Sequence, residues 1–458
     1  MRQLRQEFPD IEFVAREIRR DSEGGSDSVE QIYNELEDLR DGLDGVLIIG
    51  TLSDYRFAFT GLPTIMVYNL FKWMNIPYKR FITDHYQDRI LIGGPDYGPG
   101  RVLTAQLDRR NACRPSVSSA MFDDLVAKIR LIEAIARLRR SRILSVSPRE
   151  HLAQVDYQGD VHSHLPDDYD KRYMQALKET LGTEIIRVEP EAFYKAVREA
   201  DEEKAKQIAN IWIDEAEEVV DTTESEVVKT AKSYLALDAL RERHDCNAVS
   251  THMRSLTGSG KTEDMFWPGL GLECGFKPRG IQAVCQDYPN ILVAQLLGYF
   301  VTGRPSMLGD LMVDTFNGVD VLTHCGAPIN PHGDDRVPYI IRSHAESPVR
   351  GTLNPGSSTG LQVKLPVDEP VTIWKVYVLH KKIGVHTGES VDGHSLYENL
   401  DDIMCRTKMI AKVDAAKVQK HFSPDEYGIH RTATFGDLRE KIKDLATLIG
   451  FDVMEEDR

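Results

Sequence analysis

Apolar residues recur at helical spacing at Val29, Ile32, Leu36, Leu39 and Leu43, and Ser28 with Gln31 makes a capping-box pattern at the start of that stretch. Gly45 closes it, and VLIIG (46–50) opens a short, continuous apolar run. Such a run between helical patterns predicts a strand buried on both faces. TIMVY (64–68) and RILIGG (89–94) read the same way, which gives a β-α-β rhythm and a mostly parallel sheet. IEFVARE (11–17) also reads as a strand, but only the helix-like MRQLRQEF precedes it. A doubly wound domain usually opens on a strand, so the order here leaves a first strand unaccounted for.

A charged helical stretch at 123–142 leads into RILSV (142–146), which sets a boundary near residue 140. The rhythm then restarts. Met174, Leu177 and Leu181 share one helical face closed by Gly182, and TEIIRV (183–188) reads as a strand. Val228, Ala231, Leu235 and Ala239 mark another helix, followed by the strand patterns CNAVST (246–251) and GIQAVC (280–285). After about residue 302 the pattern changes. LQVKL (361–365), TIWKVYVLH (372–380) and KIGVHTGE (382–389) follow one another with no helix between them, which predicts an antiparallel β region. Leu438, Ile442, Leu445 and Leu448 form a last amphipathic helix capped by Gly450. The expected organisation is α/β: a parallel-sheet domain over 1–140, a second over 141–301, and a β-rich domain with a terminal helix over 302–458.

Composition narrows the partners. A chain of 458 residues exceeds what one hydrophobic core organises, and 41% apolar with 28% charged residues excludes general disorder. A net charge of −16 repels phosphate backbones, so no nucleic-acid partner is expected. No run approaches the ~18 apolar residues of a membrane span, and the opening MRQLRQEFPD lacks the apolar core of a secretory signal. The six cysteines (113, 246, 274, 285, 325, 405) are scattered without zinc spacing. They read as reduced thiols of a cytoplasmic protein, most of them buried small hydrophobes.

Three motifs carry less than they first offer. GSGKT (258–262) resembles a phosphate-binding loop, but Ser255 stands where that loop needs its first glycine. GGPDYGPG (93–100) has two prolines and no helix start behind it, so it reads as a loop and not a dinucleotide fingerprint. His162 and His164 lie in DVHSHLPDD, where a polar loop is the simpler reading than a metal site.

The segment from 280 to 328 is richer. Buried-looking strands end at Gln286, Asp310 and His324, and ends of parallel strands are where α/β proteins build sites. Oxygen and imidazole donors spread over separate strands suit a divalent ion of the manganese or iron type. Taken singly, each residue is better explained as a helix cap or a satisfied polar side chain; their order along the chain is more telling.

That order resembles the L-fucose isomerase and L-arabinose isomerase superfamily, especially its shorter members. The likeness covers most of the chain and rests on LIIGTLSDYRFAFTGLPTIMV (47–67), VTGRPSMLGD (301–310), HCGAP (324–328) and the terminal H-x-x-x-x-x-GD from His430 onward. It implies two Rossmann-like domains, a β-rich C-terminal domain, a manganese-type cofactor (Mn2+) and a homo-oligomer, commonly a hexamer. It also implies a metal set falling on Gln286, Asp310, His324 and His430. Gln286 is the departure, because the family places a glutamate there. Aldose–ketose isomerisation moves a proton between neighbouring carbons through an enediol, work usually shared by two carboxylates. Glutamine cannot take that proton, so either Asp310 acts alone or Asp287 takes the second role. The expected function is a metal-dependent sugar isomerase. Its rivals are another metal-assisted reaction on a sugar, by an epimerase or lyase, and a sugar-binding protein without catalysis.

Overall fold

A computed structural model describes residues 2–16, 27–49, 57, 60–69, 101–107, 119–147, 168–252, 269–345, 359–402, 404–422 and 428–458. The run 89–94, the glycine-rich loop 93–100, Cys113, the pair His162 and His164, and GSGKT lie outside these residues. The chain divides into two compact units, one of Met1–Ala136 with Lys441–Asp452, the other of Arg137–Glu440 with Val453–Arg458. The stretch 141–301 and the strands that follow it thus share one unit.

In the first unit, α1 (Arg2–Glu7) and α2 (Asp27–Leu39) precede a three-stranded parallel sheet of β1 (Val46–Ile49), β2 (Thr64–Asn69) and β3 (Val102–Leu107), in that order. Ile65 and Val67 of β2 pack with Leu4 and Phe8 and with Leu125 and Ile129 of α3 (Ser119–Arg139). Two expectations change. Residues 11–16 form no strand, and α2 starts at Asp27, one residue before the expected cap Ser28. Ile11 and Phe13 are partly buried against the core of Leu4, Phe8, Ile65 and Val67 without joining the sheet.

The second unit opens with β4 (Arg142–Val146), α4 (Tyr169–Leu181), β5 (Glu184–Val188), α5 (Pro190–Glu199), α6 (Glu202–Glu215), β6 (Glu218–Val220), α7 (Glu224–Arg243), β7 (Ala248–Thr251) and β8 (Gln282–Cys285). Strands β5, β4, β7 and β8 line up in that order as a parallel sheet, and β7 and β8 are buried throughout, as continuous apolar runs require. Helix α8 (Pro289–Thr302) follows directly. Proline at its first position and Gly303 at φ 70° after its end fix its limits, and its apolar surface is buried almost all round. It packs against β8 and the sheet described next.

Downstream come β9 (Met307–Asp314), β10 (Val319–His324), β11 (Tyr339–Arg342), β12 (Gly360–Val363), β13 (Pro370–Tyr377), β14 (Lys382–Ser390), β15 (Thr407–Lys412), α9 (Ala415–His421), β16 (His430–Phe435), α10 (Arg439–Ile449) and β17 (Asp452–Glu455). Strands β13, β16, β9, β10, β15 and β14 neighbour one another in that order, and β14 pairs back to β13. All six of these pairings are antiparallel, so the strands close into a ring, with β17 added beside β14. Closure removes the unpaired edges an open sheet would carry.

The expected antiparallel region is therefore present, with one reassignment. LQVKL supplies β12, which joins β11 and β6 in a separate three-stranded sheet, β6 running parallel to β11. The mixed α/β class with parallel sheets stands. One buried core runs from Leu144 and Val249 of the parallel sheet through Leu272 to Leu322, Ile373 and Ala433 of the ring.

Candidate functional site

Strand pairing assembles the site. His430 opens β16 directly opposite Asp310 of β9, Asp310 faces Thr323 of β10, and Thr323 faces Lys408 of β15. Directly opposed residues share a sheet face, so these four form one row across four adjacent strands. Within it, His430 Nε2 lies 2.9 Å from Asp310 Oδ1. Asp310 thus sits inside its strand and His324 ends an antiparallel one. The strand-end argument from parallel sheets holds only for Gln286, because register, not strand ends, gathers the others.

His430 is buried, and its ring packs on Tyr288 with centroids 3.9 Å apart. Burial lowers its pKa, with Lys375 and His324 acting the same way and Asp310 opposing. The imidazole is therefore neutral near pH 7, the form that ligates metals. Lys408 is half-buried, its Nζ has no hydrogen-bond partner among the described residues, and burial brings its pKa down to about 8.

The turn after β8 is unusual. Gln286 and Asp287 are consecutive non-glycine residues with left-handed backbones, φ 73° and 58°. Each costs on the order of 1–3 kcal/mol and persists only where neighbours enforce it. Here Asp287 supplies the restraint: its buried carboxylate accepts hydrogen bonds from Ser145 of β4 at 3.1 Å and Ser250 of β7 at 2.7 Å. Burial raises its pKa against the help of both serines. Asp287 therefore ties the turn to the parallel sheet. Gln286 is partly exposed at the head of the turn.

His324 lies between two sulfurs. Its Nδ1 is 3.3 Å from Cys325 Sγ, its Nε2 is 3.6 Å from Cys285 Sγ, and the two sulfurs are 3.5 Å apart. Burial opposes a charge on His324, yet Cys325, Asp310 and Glu273 push its pKa up to about 9. Contact with Cys285 and burial hold the Cys325 thiol well above its ordinary range. Glu273 is buried too and pairs with the buried Lys277 Nζ at 2.7 Å.

Asp310 and His430 thus touch, and His324 is electrostatically coupled to both. Sequence reasoning passed over Cys285, Cys325, Tyr288 and Lys408. The first two had a signal in plain sight, one directly preceding Gln286 and the other directly following His324. The five described cysteines are all free thiols. Among the described residues no helix is long and apolar enough to cross a membrane. No family model matches the chain, and no curated protein matches it.

Proposed function

We propose that the protein is a metal-dependent aldose–ketose isomerase or a close mechanistic relative, acting on a polyhydroxylated carbonyl compound. The contact of Asp310 with a neutral His430, set by strand register, carries the reading. A carboxylate oxygen and an imidazole nitrogen fit a manganese-type ion, and these two residues would hold it, with Gln286 the further donor the resemblance implies; the resemblance also implies His324, whose two ring nitrogens face sulfurs instead. Such an ion would supply Lewis-acid polarisation of a carbonyl oxygen, which makes the neighbouring C–H more acidic. Asp310 would accept that proton and return it to the neighbouring carbon. His430, packed against Tyr288, fixes the direction of the Asp310 carboxylate.

A second reading, another reaction of an enediol such as epimerisation or carbon–carbon cleavage, draws support from Gln286. It replaces a carboxylate with a neutral amide on a backbone held in strain.

Chelation followed by manganese addition tests both. Activity on a panel of aldoses and ketoses should vanish and return, and Asp310→Ala should lose activity by a factor of at least about a hundred. Turnover that survives exhaustive chelation sinks the proposal. The resemblance adds a homo-oligomer to the proposal, and light scattering that found a fully active monomer would remove that part alone.

A further inference from the structure

We infer that Cys285, His324 and Cys325 form a binding site for a thiophilic divalent ion of the zinc type, separate in its donor chemistry from the Asp310–His430 pair. The geometry carries this. Zinc bonds of about 2.3 Å to sulfur and 2.0–2.1 Å to nitrogen, at tetrahedral angles, set donor atoms roughly 3.6–3.8 Å apart. The three donors here form a triangle with edges of 3.5 Å between the sulfurs, 3.3 Å from Cys325 Sγ to His324 Nδ1, and 3.9 Å from Cys285 Sγ to the same nitrogen. Those are the edges of one face of a coordination tetrahedron. The fourth position is left for water or a substrate oxygen.

The fold prepares this triangle without an ion. Cys285 is the last residue of β8, held by the strained turn that Asp287 ties down, while His324 ends β10 and Cys325 follows it directly. All three side chains are buried, so their rotamers are restricted and little ordering remains for binding. Binding would release the proton carried by each donor atom as its bond to the metal forms, leaving two thiolates and a neutral imidazole on the ion. Soft sulfur donors select against manganese and magnesium and favour zinc.

The inference does not depend on the isomerase reading, and its test is spectroscopic. Full-length protein, purified under reductant and stripped of metal, is titrated with cobalt(II). One equivalent should produce thiolate-to-cobalt charge transfer in the near ultraviolet. Cys285→Ser and Cys325→Ser should each weaken that band, whereas Asp310→Ala should keep it. Should the serine variants fail to fold, X-ray absorption of the zinc-loaded wild type decides, with two sulfur neighbours expected at about 2.3 Å. A cobalt complex without charge transfer, a zinc shell of nitrogen and oxygen alone, or no binding of either ion would overturn the site. None of these outcomes bears on whether Asp310 and His430 support turnover.

Discussion

Gln286 is the residue whose replacement says most. If it is a tolerated substitution in an ordinary isomerase, Gln286→Glu restores a second carboxylate and activity is equal or higher. If it was selected for a different reaction, the added charge raises the pKa of neighbouring acids and repels anionic intermediates. We expect the second result, a loss of about tenfold or more on the natural substrate, read from kcat/KM of both proteins on one sugar panel. The sequence exposed Gln286, Asp310 and His430 as polar residues in apolar surroundings, and that signal needs no tertiary knowledge. It could not show that Asp287 faces Ser145 and Ser250, because side-chain direction at a left-handed turn departs from strand alternation. Nor could it show that His324 lies between sulfurs brought from residues 285 and 325.

Among elements, the pairing of β9 with β10 and β16 does the positioning, and Gly309 is its tightest point. A Cβ there would lie 2.7 Å from Leu322 Cβ on the paired strand. Gly309→Ala should therefore cost about 1–3 kcal/mol, seen as a lower urea midpoint. It should also lower the activity of the protein that remains folded, since Asp310 is the next residue. An unchanged midpoint would mean that the strands part at no cost. Strands such as RILSV and KIGVHTGE were legible because short apolar runs between turns leave few alternatives. Their partners were not: the register that sets His430 against Asp310 is a tertiary property, and LQVKL went to another sheet than its neighbours in sequence.

At the scale of the molecule, the ring encloses a buried charged network. His386 donates to Asp320 Oδ2 and Glu456 Oε2 at 2.7 Å each, and Glu456 also meets Arg431 at 3.4 Å. All four side chains are inaccessible. Burial disfavours the His386 imidazolium, but the two carboxylates overcome that and raise its pKa from 6.5 to about 9. A raised folded pKa adds stability in full below the unfolded value and loses it as pH rises through the folded one. Unfolding free energy should therefore fall between about pH 6.5 and 9, by on the order of a few kcal/mol. His386→Gln should flatten that dependence and destabilise the protein at pH 6 by roughly 3–5 kcal/mol, because two carboxylates lose their shared cation. Denaturant titrations of both proteins across this range check it, and parallel pH profiles would exclude His386 as the titrating group.

Ring closure also has a consequence in time. Asp310 and His430 meet only when β16 docks on β9, and the intervening chain holds β10 to β15. Closing so long a loop is entropically expensive and slow, whereas the contiguous helices α5, α6 and α7 need only local contacts. In refolding, helical dichroism should recover well before any signal tied to the Asp310–His430 contact. The candidate site would then be among the last parts of its unit to exist, and a chain arrested before β16 docks would have helices and no chemistry.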